Sequence, residues 1–347
     1  MKELSKIASQ VQASSTMAID SLAKQMKADG IDVVGFGAGE PDFNTPDEIK
    51  AAGIRAIEEN NTRYTPASGL PGIKKAVCER VKADFHVEYE PSQVMVAAGA
   101  KHCVYVALRA LVNPGDEVIV PAPYWVSYIE LVRMMGGVPV VVTAEESAGF
   151  KITAQQLRDA ITPKTKAMIL NNPSNPTGMV YNGEELKALV DVCVENDLYI
   201  IADEIYSCLL YDGLKFTSVA SLGEEVKKRT ILINGVSKAY AMTGWRIGYA
   251  LAEPEIIKVM SNYLSHCAGS CCTISQKAAE AALSGSQEKI ETMRQAFEER
   301  RNYLVERMNQ VEGVSCIKPE GAFYVMMNME KLVGRTVHGQ VIHTCDD

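Results

Sequence analysis

The chain has 347 residues, 47% hydrophobic and 22% charged, a globular composition that provides for a large buried core and excludes disorder, fibrous repeats and peptide-scale scaffolds. Lys and Arg total 35 against 43 Asp and Glu, a net charge of −8, so no surplus of positive field exists to hold a polyphosphate backbone and nucleic acid is not expected as a partner. No apolar run reaches the roughly 18 residues of a membrane span, and no apolar stretch follows the first lysines, so a cytoplasmic chain without a membrane partner is expected.

In chain order, Gly35-Phe36-Gly37-Ala38-Gly39 faintly suggests a dinucleotide turn, but Glu40-Pro41-Asp42-Phe43 stands where the fingerprint needs a third glycine and a helix, which argues against a nicotinamide site. Short apolar runs rich in β-branched residues then recur at Gln93–Ala97, Glu117–Val120, Val138–Val142, Lys166–Leu170, Leu198–Ala202, Thr230–Ile233 and Arg246–Leu251, and read as strands. Helical periodicity separates most of them, as at Ala100–Leu111, Glu184–Asn196 and Glu253–Leu264. This alternation predicts an α/β fold, a mainly parallel sheet with helices on both faces. Beyond Ser286 the pattern changes to a long charged helix, Gln287–Gln310, then two strand-like runs, Gly313–Lys318 and Ala322–Met327. The expected organisation is a large domain over 46–286 and a smaller one over 287–347, with the segment 1–45 returning to pack near the latter. The nine cysteines show no Cys-x-x-Cys spacing and are odd in number, which predicts reduced core thiols.

Ligands in such sheets gather at the carboxyl ends of strands. Four polar segments stand there and should share one rim: Gly99-Ala100-Lys101, Asn171–Gly178, Asp203-Glu204-Ile205-Tyr206 and Asn234–Lys238. Lys238 lies in an apolar context, where an amine is costly unless paired or covalently used; partial desolvation beside a cation leaves neutral amine to attack a carbonyl. The competing reading is a lysine on a solvated helix face. Asp203 closes an apolar run, so its carboxylate is partly out of water and needs a cation, such as a protonated pyridine nitrogen; it would equally cap a helix starting at Glu204. Asn175 and Tyr206 are candidates to hydrogen-bond a phenolic oxygen on the same ring, against the alternatives of a turn Asn and a core Tyr. Gly99-Ala100-Lys101 opens a helix and offers either a phosphate seat or a plain strand-to-helix turn, and Arg246 could add a bidentate contact. Trp125 offers a flat face to a heteroaromatic ring or is simply core. Arg109 could meet a substrate carboxylate or lie on a solvated helix face. No metal is expected.

Taken together, Gly39-Glu40-Pro41-Asp42-Phe43, Tyr64-Thr65-Pro66-Ala67-Ser68-Gly69, Pro123-Tyr124-Trp125, Asn172–Gly178, Asp203-Glu204-Ile205-Tyr206 and Ser237-Lys238…Gly244-Trp245-Arg246-Ile247-Gly248 resemble the class I aminotransferases, and within them the bacterial aspartate aminotransferase subgroup. The resemblance runs the length of the chain and implies a fold-type I scaffold with a seven-stranded sheet, pyridoxal 5′-phosphate as cofactor, and a homodimer with shared active sites. It implies that Lys238 is the Schiff-base lysine, that Asp203 pairs with the pyridine nitrogen, and that Asn175 and Tyr206 hold the ring's 3′-oxygen. Trp125 matches the stacking aromatic; Gly99, Ala100, Lys101, Ser237 and Arg246 match the phosphate cup. Tyr64 matches a tyrosine that reaches the phosphate in the other subunit, and Gly39, with Trp125 and Asn175, matches the substrate side. The implied reaction moves an amino group from an L-amino acid, aspartate in the first place, to 2-oxoglutarate by a ping-pong mechanism.

Members of that family continue past Ala322-Phe323-Tyr324-Val325 to an Arg-x-Ser-[Tyr/Phe]-Ala motif whose arginine clamps the substrate's α-carboxylate. This sequence ends at Thr344-Cys345-Asp346-Asp347 without it, and Leu332-Val333-Gly334-Arg335-Thr336 does not match. A C-terminally shortened small domain is therefore expected. Two other readings stand beside the transaminase: a chain that binds cofactor with little turnover, and another fold-type I activity such as a C–S lyase.

Overall fold

In a computed structural model describing residues 2–13, 15–337 and 339–344, the seven apolar runs pair into one sheet. Its strands are β1 (Val94–Ala97), β2 (Glu117–Ala122), β3 (Val138–Thr143), β4 (Thr165–Asn171), β5 (Tyr199–Asp203), β6 (Thr230–Gly235) and β7 (Gly248–Leu251), in the order β1-β7-β6-β5-β4-β2-β3. β2 runs parallel to β3 and β4, β4 to β5 and β5 to β6, whereas β7 is antiparallel to both β1 and β6. The last strand is shorter than its apolar run. Arg246 takes a left-handed conformation, φ 57°, after a 3-10 turn over Thr243–Trp245, so pairing starts at Gly248.

The helices are α1 (Ser15–Ala28), α2 (Asp47–Glu58), α3 (Pro71–Phe85), α4 (Ala100–Leu111), α5 (Ser127–Met134), α6 (Ala154–Ala160), α7 (Gly183–Glu195), α8 (Glu224–Arg229), α9 (Pro254–Cys267), α10 (Thr273–Ser284) and α11 (Glu288–Asn309). Strand side chains alternate between two helical layers, as a period of two requires. Val118, Val120, Ala167 and Ile169 join a core with α4, α5 and α9, to which α4 contributes Val104, Ala107, Leu108 and Leu111 at the spacing of one helical stripe. Ile119, Met168 and Leu170 point the other way, to Leu157 of α6 and to Leu186 and Leu189 of α7. Asn182 starts α7, its side chain accepting from the Glu184 and Glu185 amides while Glu185 reaches back to the Asn182 amide. A third cluster packs Ile73 and Val77 of α3 and Ala278 of α10 on Val94, Val96 and Leu251.

The strand-like runs after α11 shrink to two-residue strands, β8 (Ser315–Cys316) paired with β9 (Met327–Asn328); β10 (Thr336–Val337) and β11 (Gln340–Val341) form a separate pair. The run starting at Ala322 is not a strand at its start because its backbone docks elsewhere. The Gly321 amide donates to the Gly178 carbonyl at 2.8 Å and the Ala322 amide to the Leu209 carbonyl at 2.9 Å. Near the beginning of the chain, Phe43 sets its ring edge-on to Phe297 of α11 at 5.7 Å, and Asp42 pairs with Arg300 at 2.7 Å.

The expectation of core thiols holds for Cys103, Cys193 and Cys316, but Cys267 and Cys272 are exposed. Both belong to the turn around the end of α9 and the start of α10, where little packs over the chain; Cys345 lies outside the described residues. The eight described cysteines are free. Among the described residues no helix is long and apolar enough to cross a membrane.

Gly248 carries a constraint that links β7 to α4. A Cβ there would lie 2.3 Å from the Ala100 nitrogen and 2.4 Å from the Gly99 carbonyl carbon, both backbone atoms that cannot swing aside. Gly248→Ala should therefore lower stability in urea unfolding by about 1–3 kcal/mol. Gly244→Ala, where nothing lies within 4 Å, should leave the midpoint unchanged.

Candidate active site

The carboxyl ends of the strands deliver their polar segments to one cavity of about 560 Å³. Ala100 and Lys101 come from the first turn of α4, Trp125 from the loop after β2, Asn171 from the end of β4 and Asn175 from the loop after it, Asp203 from the end of β5 and Tyr206 from the turn after it, and Ser237 and Lys238 from the loop after β6. Arg246 joins them from the approach to β7, and Gly39 and Glu40 close one side. Of the residues singled out in the sequence, Tyr64 stands clear of the cavity and is fully exposed, and Gly99 does not line it. Arg109 does not reach it either; its guanidinium lies over the Tyr263 ring at 5.6 Å.

Asp203, at the buried end of β5, is 4% exposed. Burial pushes its carboxyl up to about 6, while hydrogen bonds from the Tyr128 hydroxyl at 2.7 Å and the Ile205 amide at 3.3 Å, with the Lys238 charge further off, pull it back. The bond from Ile205 makes Asp203 the cap of a turn; no helix starts at Glu204. The Asn171 amide ties down its carbonyl at 2.9 Å. Lys238 donates to the Gly39 carbonyl. Burial first, then the charges of Arg246 and Lys101, lower its amine to about 8 against the opposing pull of Glu40 and Asp203. An amine in this range is part neutral at physiological pH and nucleophilic.

Gly99, at the N-terminus of α4, has φ 90°, and a Cβ there would lie 2.4 Å from Arg246 Nη2. Only glycine lets the guanidinium come this close to the N-terminus of α4, where the His102 amide is already taken by the Gly99 carbonyl at 3.0 Å. Arg246 is fixed there by donating to the Thr243 carbonyl at 2.8 Å and the Ala98 carbonyl at 3.1 Å. Ser237, 7% exposed, lines the same corner. Trp125 stands edge-on to Tyr128 and carries Lys101 Nζ at 4.7 Å from its ring. Asn175 hydrogen-bonds the Tyr206 hydroxyl.

Two contributors, Tyr128 and Tyr324, lie outside the expected rim segments, and Asn171, inside one of them, takes a role not assigned to it. Tyr128 lies one helical turn past Trp125, a spacing that offers a weak signal. Asn171 directly precedes the Asn172-Pro173 turn. Tyr324, whose hydroxyl is 2.6 Å from that of Tyr206, falls in the strand-like run Ala322–Met327, whose pattern carries no signal of a site.

The sequence profile of the family described as Aminotransferase class I and II matches residues 31–341. The chain belongs to this family. An aspartate aminotransferase of Geobacillus stearothermophilus is 51% identical over 94% of this chain and 83% of its own length. An asparagine–oxo-acid transaminase of Streptococcus mutans is 43% identical over 95% of this chain and 84% of its own. Among solved structures, the aspartate aminotransferase of Rhizobium meliloti matches with a TM-score of 0.95 at 39% identity, covering 99% of this chain and 86% of its own. That of Thermus thermophilus with maleate gives 0.92 at 39% identity, over 96% and 86%. The fold is accordingly fold-type I, and the protein is a pyridoxal 5′-phosphate-dependent aminotransferase acting on amino acids and oxo acids.

The donor set suits that cofactor. A partly neutral amine suits an aldehyde, a buried carboxylate without a close cation suits a protonated ring nitrogen, and a helix N-terminus beneath a guanidinium suits a phosphate dianion. Because the lowered amine is protonated below about pH 8 and free above it, acylation of Lys238 by a neutral reagent in cofactor-free protein should rise through a midpoint near pH 8, read by peptide mass spectrometry. Surface lysines should rise above pH 10; a Lys238 midpoint there would contradict the role of burial.

Proposed function

We propose that the chain transfers the amino group of L-aspartate to 2-oxoglutarate as a homodimer, with Lys238 and Asp203 as its catalytic residues. The observation that carries this reading is the placing of a largely buried amine of lowered proton affinity and a buried carboxylate in one cavity, at the ends of the neighbouring strands β5 and β6. Aspartate is favoured because curated relatives named aspartate aminotransferase match almost the whole chain, and because the Thermus relative was solved with maleate, a four-carbon dicarboxylate like the proposed substrate.

Pyridoxal 5′-phosphate, when bound, supplies an aldehyde for amine exchange and a protonated ring that takes up the electron pair left on a substrate's Cα. Asp203 keeps that ring nitrogen protonated, and Tyr128 aims the carboxylate. Lys238 Nζ, once free of the cofactor, accepts the proton from the substrate Cα and returns it, acting as base and then acid. Ser237, Arg246 and the backbone of Gly99, Ala100 and Lys101 bind the phosphate. Asn175 and Tyr206 hold the phenolic oxygen, and Trp125 covers one ring face. The Gly39 backbone and Asn175 stand on the side where the substrate's α-carboxylate would lie. Tyr64, pointing to solvent, is assigned to the phosphate in a second copy of the chain.

The loaded protein should show a visible absorption band that borohydride fixes to the Lys238 peptide and that Lys238→Ala lacks. L-Aspartate should bleach the band and 2-oxoglutarate restore it; bleaching by other amino acids and not by aspartate would overturn the assigned substrate. Tyr64→Phe should raise the cofactor's dissociation constant about tenfold, the loss of one charge-assisted hydrogen bond, in a chain that sediments as a dimer. An unchanged constant would remove the shared site.

A further inference from the structure

We infer that Tyr324 is a positioning residue of the active site, whose hydroxyl donates to Tyr206 and so strengthens the hydrogen bond that Tyr206 gives the cofactor's phenolic oxygen. The inference rests on the assignment of Tyr206 to that oxygen.

The two hydroxyls are 2.6 Å apart, with the rings perpendicular at 5.6 Å, and either oxygen is able to donate in the pair by itself. A hydroxyl has one proton and two lone pairs. Once Tyr206 turns its proton toward a negatively charged oxygen in the cavity, its lone pairs face Asn175 and Tyr324, and Tyr324 is left as a donor. A donor whose oxygen itself accepts hydrogen bonds is polarised and donates more strongly.

Tyr324 is built to stay in that position. The Tyr211 hydroxyl donates to the Ala322 carbonyl, and the Gly321 and Ala322 amides bond to Gly178 and Leu209, so the backbone two residues before Tyr324 is pinned to the large sheet's loops. Phe323 packs edge-on to Tyr206 at 5.5 Å and against Phe297 at 5.2 Å. On the other side, a Cβ at Gly39 would stand 3.0 Å from the Tyr324 hydroxyl, so glycine there leaves the hydroxyl its room.

The charged and ionisable groups around the pair come from several elements. Asp203 acts on both tyrosines from the end of β5, and Tyr128 faces them from α5. Lys238 Nζ lies 6.0 Å from the Tyr206 ring and 5.7 Å from that of Phe323, and Glu40, Arg246 and Lys101 act on Lys238 in turn. These groups remain in place in Tyr324→Phe, which removes one oxygen and keeps the ring packed.

The experiment is a pH titration of the visible absorption of the loaded protein, with no substrate present, for the parent, Tyr206→Phe, Tyr324→Phe and the double variant. A weaker bond to the phenolic oxygen stabilises its negative charge less, so the midpoint should rise. The expected result is an upward shift of roughly 0.3 pH unit in Tyr324→Phe, a larger one in Tyr206→Phe, and no further shift in the double variant. A Tyr324→Phe midpoint equal to the parent's, or a double variant that adds the two shifts, would overturn this inference alone. A Tyr206→Phe midpoint equal to the parent's would overturn the placing of Tyr206 first and this inference with it.

Discussion

The site depends on two opposite charges held out of water at the ends of adjacent strands without being allowed to neutralise each other directly. Asp203 ends β5 and is steadied by the Tyr128 hydroxyl; Lys238 follows β6 and is steadied by the Gly39 carbonyl. Each gives up hydration, and the proton affinities of both groups record the cost, one raised to about 6 and the other lowered to about 8. A ligand that offers an electrophile to the amine and a cation to the carboxylate removes both penalties together. Because it binds only the folded chain, such a ligand also stabilises the fold.

Glu204, next to Asp203, is fully buried as well but does a different job. Its Oε1 accepts from the Val219 amide at 2.8 Å and the Ser218 hydroxyl at 3.1 Å, while burial raises the carboxyl to about 8. Burial therefore favours its neutral form, which weakens any second negative charge beside Asp203. Asp203 ends β5 and Glu204 lies just past it, so one of these two carboxyls serves the cavity and the other fastens the loop at Ser218 and Val219.

Much of this was legible in the sequence because strands buried on both faces appear as unbroken apolar runs, and the polar residues ending those runs stand out. Asp203, Lys238 and the Gly99-Ala100-Lys101 turn are visible in that way. Tyr128 and Tyr324 are not, since they meet their partners across 75 and 118 residues, through packing that no local pattern encodes. The run from Ala322 misleads for a related reason: its composition favours a strand, but the Ala322 amide is already engaged by Leu209 and the Gly321 amide just before it by Gly178. The exposed Cys267 and Cys272 show the same limit, because an apolar neighbourhood in sequence does not ensure a covering layer in space.

The reversed strand β7 has its own effect on how the site is assembled. Strands β1, β2, β4, β5 and β6 contribute to the rim as the chain leaves the sheet, whereas β7 contributes as the chain enters it. Its first residue, Gly248, is paired on one side with Ala97 and on the other with Gly235, the last residues of β1 and β6. Arg246, two positions upstream, thus arrives at the same edge with the opposite chain polarity. A single inverted strand lets the Arg246 guanidinium and the helix end beside it be set by one interlocked backbone crossing instead of by two independent loops.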